Sequence, residues 1–336
     1  MSLFKSYLAH HFFPGQNAEE SIIGCIKILS LLFLANGNRK LLKLPIGDFY
    51  VQELCQGLNF KTEYKNWRDS ETSQRFSYFN YPFLFDPISK TKILRLDALY
   101  QMSEEFEQSY VSQALIAHAQ KFLEHSEVLD DLETRMKLAA NPFLVLEIRR
   151  ESLVEDSLEQ LGKKVLDLKK PIRIKFIGGG EEGMDQGGVQ KEYFQVIINR
   201  LLNPDHGLFT YEEESRYSWI SRSSMEPDSH FELVGMILGL SIYNGVILGI
   251  SFPPVLYKKL KGEPIKFQDF AESFPALGNG LQQLLDWTDG DVEDIFQRSF
   301  EITYSDYGQV RTVPLVEGGE SIMVTNDNRK GILFKS

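Results

Sequence analysis

From Leu233 to Tyr257 the chain carries no charged side chain. A stretch of that length has two stable homes. It crosses a bilayer, where a helix needs about 20 apolar residues, or it lies inside a soluble fold as a helix that is apolar all round. The details favour the second. Ser241, Asn244 and Ser251 are polar, Gly235, Gly239, Gly245 and Gly249 weaken a continuous helix, and Pro253-Pro254 stops one. The expectation is a buried helix followed by a turn. A shorter apolar run, Ser21 to Ala35, falls short of a span and is interrupted by Lys27. A signal peptide would place its charged region just ahead of the apolar stretch and end at small residues, and the fit here is poor. No membrane insertion is expected.

A chain of 336 residues with 43% hydrophobic side chains supports two domains, or one large domain with an extension. The formal net charge of -11 argues against nucleic acid or an anionic membrane as the main partner. The two cysteines, Cys25 and Cys55, are too few for a disulfide framework and suit a reducing compartment, so a cytoplasmic location is expected. They also exclude a zinc site built on several thiolates. The six histidines, His10, His11, His118, His125, His206 and His230, fall in no metal-ligating pattern. Neither a metal nor a cofactor is expected.

The organisation reads as α+β, mainly helical with small sheets and hairpins. The first 110 residues read as helices joined by aromatic-rich turns. Arg75 to Pro87 is the most aromatic stretch, and its prolines predict an extended segment packed on a core. Leu96 to Ala140 reads as helix, Phe143 to Arg149 as a short strand, and Ser152 to Leu168 as an amphipathic helix. Pro171 to Ile177 alternates as a half-buried strand does, and a helix follows from about Val189 to Leu202. Leu277, Leu281, Leu284 and Leu285 share one helical face, but Gly278 and Gly280 predict a start only near Leu281. Phe296 to Tyr304 and Gln309 to Val316 read as two strands around the turn Asp306-Tyr307-Gly308.

One local motif misleads. Gly178-Gly179-Gly180-Glu181-Glu182-Gly183 matches the dinucleotide fingerprint after a predicted strand, and Asp205 lies about 20 residues on, where that fingerprint expects an acid. A pyrophosphate needs bare amides at a positive helix end. Glu181 and Glu182 would place two carboxylates there instead. A phosphate loop fails because no Gly-Lys-Ser/Thr follows. An acidic turn, with Asp185 capping the next helix, satisfies the local physics. It leaves the string GEEGMDQGGVQKEYF unexplained.

That string, Gly180 to Phe194, resembles the hallmark of the N-terminal lobe of HECT-type ubiquitin ligases. Other segments resemble the same family in order. They are Leu146 to Glu151, Gly235 to Asn244, Phe252-Pro253 with Tyr257 to Leu260, Asp291 to Asp294, and Val324 to Arg329. The resemblance covers about Leu115 to Lys330. Tyr81-Pro82-Phe83 and Lys90 to Leu94 look most like the region before the lobe in the small HERC-type members. The implied plan is a helical extension over 1–110, a large subdomain over 111–260, an E2-binding subdomain over 261–330, and a divergent tail over 331–336.

The resemblance also implies a mechanism. A ubiquitin-loaded E2 docks on this lobe, and ubiquitin passes to a cysteine thiolate on a following C-lobe and then to a substrate lysine. A thiolate suits such thioester exchange. Both cysteines here precede every HECT-like motif, and each reads as a small core residue. The string departs after Lys330, where relatives continue into a hinge helix. The expectation is therefore an N-lobe fragment without the catalytic C-lobe and with no catalytic residue of its own. Its implied E2 groove is Leu277, Leu281, Trp287 and Phe296. Arg298 falls where relatives place an apolar residue. A transferase assisted by a C-lobe in trans and a non-catalytic scaffold stay open as alternatives.

Overall fold

The computed structural model describes residues 2–12, 19–38, 44–73, 76–120, 141–178, 188–306 and 309–334. The glycine-rich loop that carries most of the hallmark string, the far end of the Leu96 to Ala140 helix, the Tyr307-Gly308 turn and the last tail residues lie outside the described residues. The fold is α+β and mainly helical, and its strands form small two-stranded sheets. The chain gathers into two compact units, one of 1–147, 160–175 and 239–246, the other of 148–159, 176–238 and 247–336.

In the first unit, helices α1 (Ser2–His11), α2 (Glu20–Asn38), α3 (Gln52–Gly57), α4 (Phe60–Ser73) and α5 (Pro87–Gln120) surround an aromatic core. Helix α2 buries Ile22, Cys25, Ile26 and Leu29, spaced as one helical face, while Lys27 is exposed. The expectation that this run is too short to span a membrane is corrected. The helix extends past the apolar run at both ends, and by length and composition it is long and apolar enough to cross one.

The aromatic stretch before α5 does pack on the core, burying Tyr78, Phe79, Phe83, Leu84 and Phe85. Its backbone forms two single 3-10 turns, Tyr78–Asn80 and Pro82–Leu84, rather than an extended segment. Helix α5 also starts earlier than predicted. Pro87 opens it, because a first-turn residue needs no N–H partner, and the Asp86 carboxylate accepts from Ser89 N at 2.7 Å as a cap. Tyr64 of α4 stacks on Tyr100 of α5 and donates to Asp97 Oδ1 at 2.6 Å.

Strands β1 (Leu144–Arg149) and β2 (Ile172–Ile177) pair in one sheet, and both lie where their sequence pattern put them. The helix α6 (Leu153–Lys163) begins beside Arg149, whose guanidinium binds the Asp156 carboxylate at 2.6 Å. The helix α7 (Gly188–Leu202) buries Tyr193, Phe194, Ile197 and Ile198. The Ser157 and Tyr193 hydroxyls lie 2.8 Å apart, and Arg150 pairs with Glu192 at 2.6 Å. Thus two of the resemblance segments, Leu146 to Glu151 and the Glu192-Tyr193-Phe194 end of the hallmark, bind one another. Burial pushes the Tyr193 phenol well above its ordinary value.

A hairpin of β3 (Phe209–Glu212) and β4 (Tyr217–Ile220) follows, and then α8 (Asp228–Tyr243). The uncharged run is therefore a helix that ends at Tyr243, an irregular stretch, and a second helix α9 (Pro254–Leu260), as its glycines and prolines require. The remaining elements are α10 (Phe267–Ser273), α11 (Pro275–Asp286), α12 (Val292–Phe296), β5 (Glu301–Asp306) and β6 (Gln309–Pro314).

Candidate functional site

The site is built on α11. Pro275 occupies its first turn, and the helix runs through Gly278 instead of starting near Leu281. Packing explains the glycine. A Cβ at Gly278 would lie 2.5 Å from Ala271 Cα, so only glycine lets α10 and α11 approach this closely. The Lys258 ammonium and the Lys266 N–H hold Asp269 at the start of α10. Burial pulls the Asp269 carboxyl upward, but those bonds leave it below the ordinary carboxylate value.

The leucines on the predicted face divide. Leu284 is 3% exposed and joins Val292, Phe300 and Val324 in a small core, whereas Leu277 is 43% exposed. Leu281, Trp287 and Phe296 are partly buried against that core. An open cavity of about 590 Å³ lies beside them, lined by Leu277, Leu281, Leu284 and Phe296 together with Phe270 and Ile302. Trp287 does not line the cavity. It meets Phe296 edge-on, with ring centroids 5.6 Å apart, and so backs the wall. Its indole N–H is buried and has no acceptor among the described residues.

Phe296 corrects the sequence reading. It ends α12 instead of opening a strand, because Gln297 turns left-handed at φ 45 and stops the helix. Strand β5 begins only at Glu301 and pairs antiparallel with β6, Ile302 opposite Val313 and Thr303 opposite Thr312. Phe270, Ile302 and Leu315 line the cavity but were not anticipated. Their apolar character was visible in the sequence, but what brings them to one wall is the packing of separate elements.

The segment Val324 to Arg329, noted only through resemblance, has a physical role. The Arg329 guanidinium donates to Trp287 O at 2.6 Å and Leu284 O at 3.3 Å, closing the carbonyl end of α11 where a cation is favoured. Asn326 donates to Asp291 Oδ1 at 3.1 Å and accepts from Val292 N at 3.3 Å, holding the turn in which Gly290 stands at φ 114. Asn328 accepts from Thr325 N and donates to Met323 O, which keeps the segment folded. These bonds fix Trp287 and the far end of the leucine helix. Hydrogen bonds to charged groups contribute roughly 1.5–3 kcal/mol each.

A second cavity of about 540 Å³ is polar, with Glu151, Glu155, Glu226, Arg200, His206 and His230 among its lining. Its His230–Glu226 contact of 2.6 Å is satisfied within the protein. Among the described residues no cluster of His, Cys, Asp or Glu suits a metal ion. Both cysteines are buried. Cys25 Sγ lies 3.4 Å from Phe4 O, Cys55 Sγ lies 3.9 Å from Leu84 O, and burial pushes the Cys25 thiol up. For Cys25 this disfavours the thiolate, the reactive form.

Comparison with known proteins bears on residues 195–333, which match the model described as HECT-domain (ubiquitin-transferase). The chain is 34% identical over 319 residues to the "Probable E3 ubiquitin-protein ligase HECTD2" of Homo sapiens, covering 90% of this chain and 38% of the relative. It is 35% identical over 319 residues to "Probable E3 ubiquitin-protein ligase HERC3" of Homo sapiens, covering 92% of this chain and 29% of the relative. For "Probable E3 ubiquitin-protein ligase HERC4" of Mus musculus the identity is 33% over 319 residues, covering 91% and 28%. The chain thus spans less than half the length of these relatives. The whole cavity wall lies inside the matched range.

Proposed function

Because the chain belongs to the HECT-domain ubiquitin-transferase family, we propose that it docks a ubiquitin-conjugating E2 enzyme in the groove of Leu277, Leu281 and Phe296, backed by Trp287. The observation that carries this reading is the open apolar cavity on α11, where leucine side chains stay partly exposed above a small buried core. Ligases of this kind work with an E2 and ubiquitin, which supports the partner class. A concave apolar wall with a few polar groups suits an inserted side chain from such a partner.

The role proposed for these residues is docking and not transfer. Cys25 and Cys55 are buried core residues, and no other cysteine occurs in the chain. Titration of the purified chain against a panel of E2 enzymes tests docking. Leu281→Ala should weaken every E2 that binds, and unchanged affinities would remove the reading. A thioester assay tests the second half. The chain alone should form no DTT-sensitive ubiquitin adduct, and an adduct lost in Cys25→Ser or Cys55→Ser would overturn it.

A further inference from the structure

We infer that Arg298 selects among E2 partners by favouring those that bring a carboxylate to the groove. The inference rests on the proposed docking of an E2 and goes further, to what decides which E2. Arg298 lines the same cavity as Leu281 and Phe296, in a wall that is otherwise mostly apolar. The other polar groups there are engaged within the protein or lack charge. The Glu301 carboxylate accepts from Ser299 Oγ at 2.7 Å, and the Thr303 and Thr312 hydroxyls lie 3.1 Å apart.

Arg298 differs from both. Its side chain is exposed, and no acceptor meets its guanidinium among the described residues. Its backbone is fixed on both sides. Val324 N donates to Arg298 O at 2.7 Å, Gln297 N donates to Glu293 O at 3.1 Å, and Ser299 bridges to Met323. The left-handed turn at Gln297 sets where the arginine emerges. The root of the side chain is thus held at the groove while its charged head is left to water and free to take a partner's carboxylate.

A guanidinium offers a planar fork of donors that matches a carboxylate in two parallel hydrogen bonds. Docking removes water from the groove and strengthens any charge pair formed there. The same desolvation penalises a partner that leaves the arginine unpaired, and a partner lysine at that place is repelled. Selection therefore acts through both gain and penalty, on top of the apolar contact that all partners share.

The experiment measures dissociation constants of the purified chain for a panel of E2 enzymes, with Arg298→Gln, Arg298→Glu and Leu281→Ala beside the wild type. For the tightest E2, the loop that contacts the groove is located by chemical-shift perturbation, and its acidic residues are changed singly to lysine. Arg298→Glu should weaken that E2 by about tenfold. One lysine-bearing E2 should recover the loss when paired with Arg298→Glu and bind worst to the wild type. If Leu281→Ala leaves all affinities unchanged, the docking reading fails and this inference with it. If Leu281→Ala weakens binding but Arg298→Glu leaves the ranking of E2 enzymes intact, the Arg298 inference alone fails. Should Arg298→Glu lower the thermal midpoint, the neutral Arg298→Gln and the lysine substitutions on the E2 decide the matter in the same way.

Discussion

In the first unit, Phe49, Phe83 and Phe85 sit among fifteen buried residues of those described, and the partly buried Phe33 stacks on Phe83 at 4.9 Å. In the second, Leu284, Val292, Phe300 and Val324 form a small core among the described residues, and Leu281, Trp287 and Phe296 lean on it beside an open cavity. Both are made of aliphatic and aromatic side chains. The first is closed in that its buried residues are out of water, where they contribute to stability, and the side chains packed against it, such as Phe33 and Phe60, are only partly exposed. The second leaves part of its apolar area exposed, and that area is available to a partner. Polar groups at the two cores follow the same division. The closed core satisfies Glu63 with Ser77 Oγ at 2.6 Å and Tyr78 N at 2.7 Å, while the Trp287 indole N–H has no acceptor among the described residues.

The comparison breaks most visibly at Phe85, which is fully buried. Phe85→Ala should cost about 3–5 kcal/mol of unfolding free energy in a urea titration. The folded fraction should bind E2 with unchanged affinity. A parallel loss of affinity would show that the two clusters are not separate in function. Trp287→Ala should act in the opposite sense, weakening E2 binding by about 2 kcal/mol while circular dichroism stays that of the wild type. Unfolding of that variant would return Trp287 to the class of core residues. Trp287→Phe sharpens the point, since it keeps an aromatic ring against Phe296 and removes the orphaned donor. Its stability should equal or exceed that of the wild type, because an unsatisfied buried donor costs about 1–3 kcal/mol.

Periodicity made the regular elements legible. The strands at Leu144–Arg149 and Ile172–Ile177, the helix at Gly188–Leu202 and the helix Asp228–Tyr243 follow from local pattern alone, but the last buries one face, with Leu233, Ile237 and Leu240, and leaves Ile242 exposed instead of being buried all round. Local signals misled where a residue serves a distant contact. Gly278 looks like a weak helix start until Ala271 is placed against it. Pro87 looks like a breaker until Asp86 is seen to cap a helix. Phe296 looks like a strand residue until the turn at Gln297 is known. The candidate site was half legible for the same reason. Spacing put the leucines on one face, but Phe300 and Val324, far along the chain, decide that Leu284 is covered and Leu277 is not. The hydrogen bonds of Asn326 and Arg329 had no local signal, since their partners lie more than thirty residues away.

The smallest expected effect concerns Glu63, the buried carboxylate of the closed core. Burial raises its carboxyl above the ordinary value, and the bonds from Ser77 and the Tyr78 N–H offset only part of that rise. Between the ordinary value and the raised one, the native state holds a proton that the unfolded state has released. Stability from this group is therefore greatest at low pH and declines as pH rises through that window. Paired Asp and Glu residues elsewhere act in the other direction, so the contribution must be isolated by difference. Glu63→Gln keeps an oxygen acceptor for Ser77 and Tyr78 and cannot ionise. Chemical denaturation at a series of pH values above the ordinary carboxylate value should show wild-type stability falling relative to the variant as pH rises. A constant difference would mean that Glu63 titrates alike in the folded and unfolded chain, and that water reaches this core. E2 affinity should not depend on this substitution at any pH, because Glu63 belongs to the first unit's core and not to the groove.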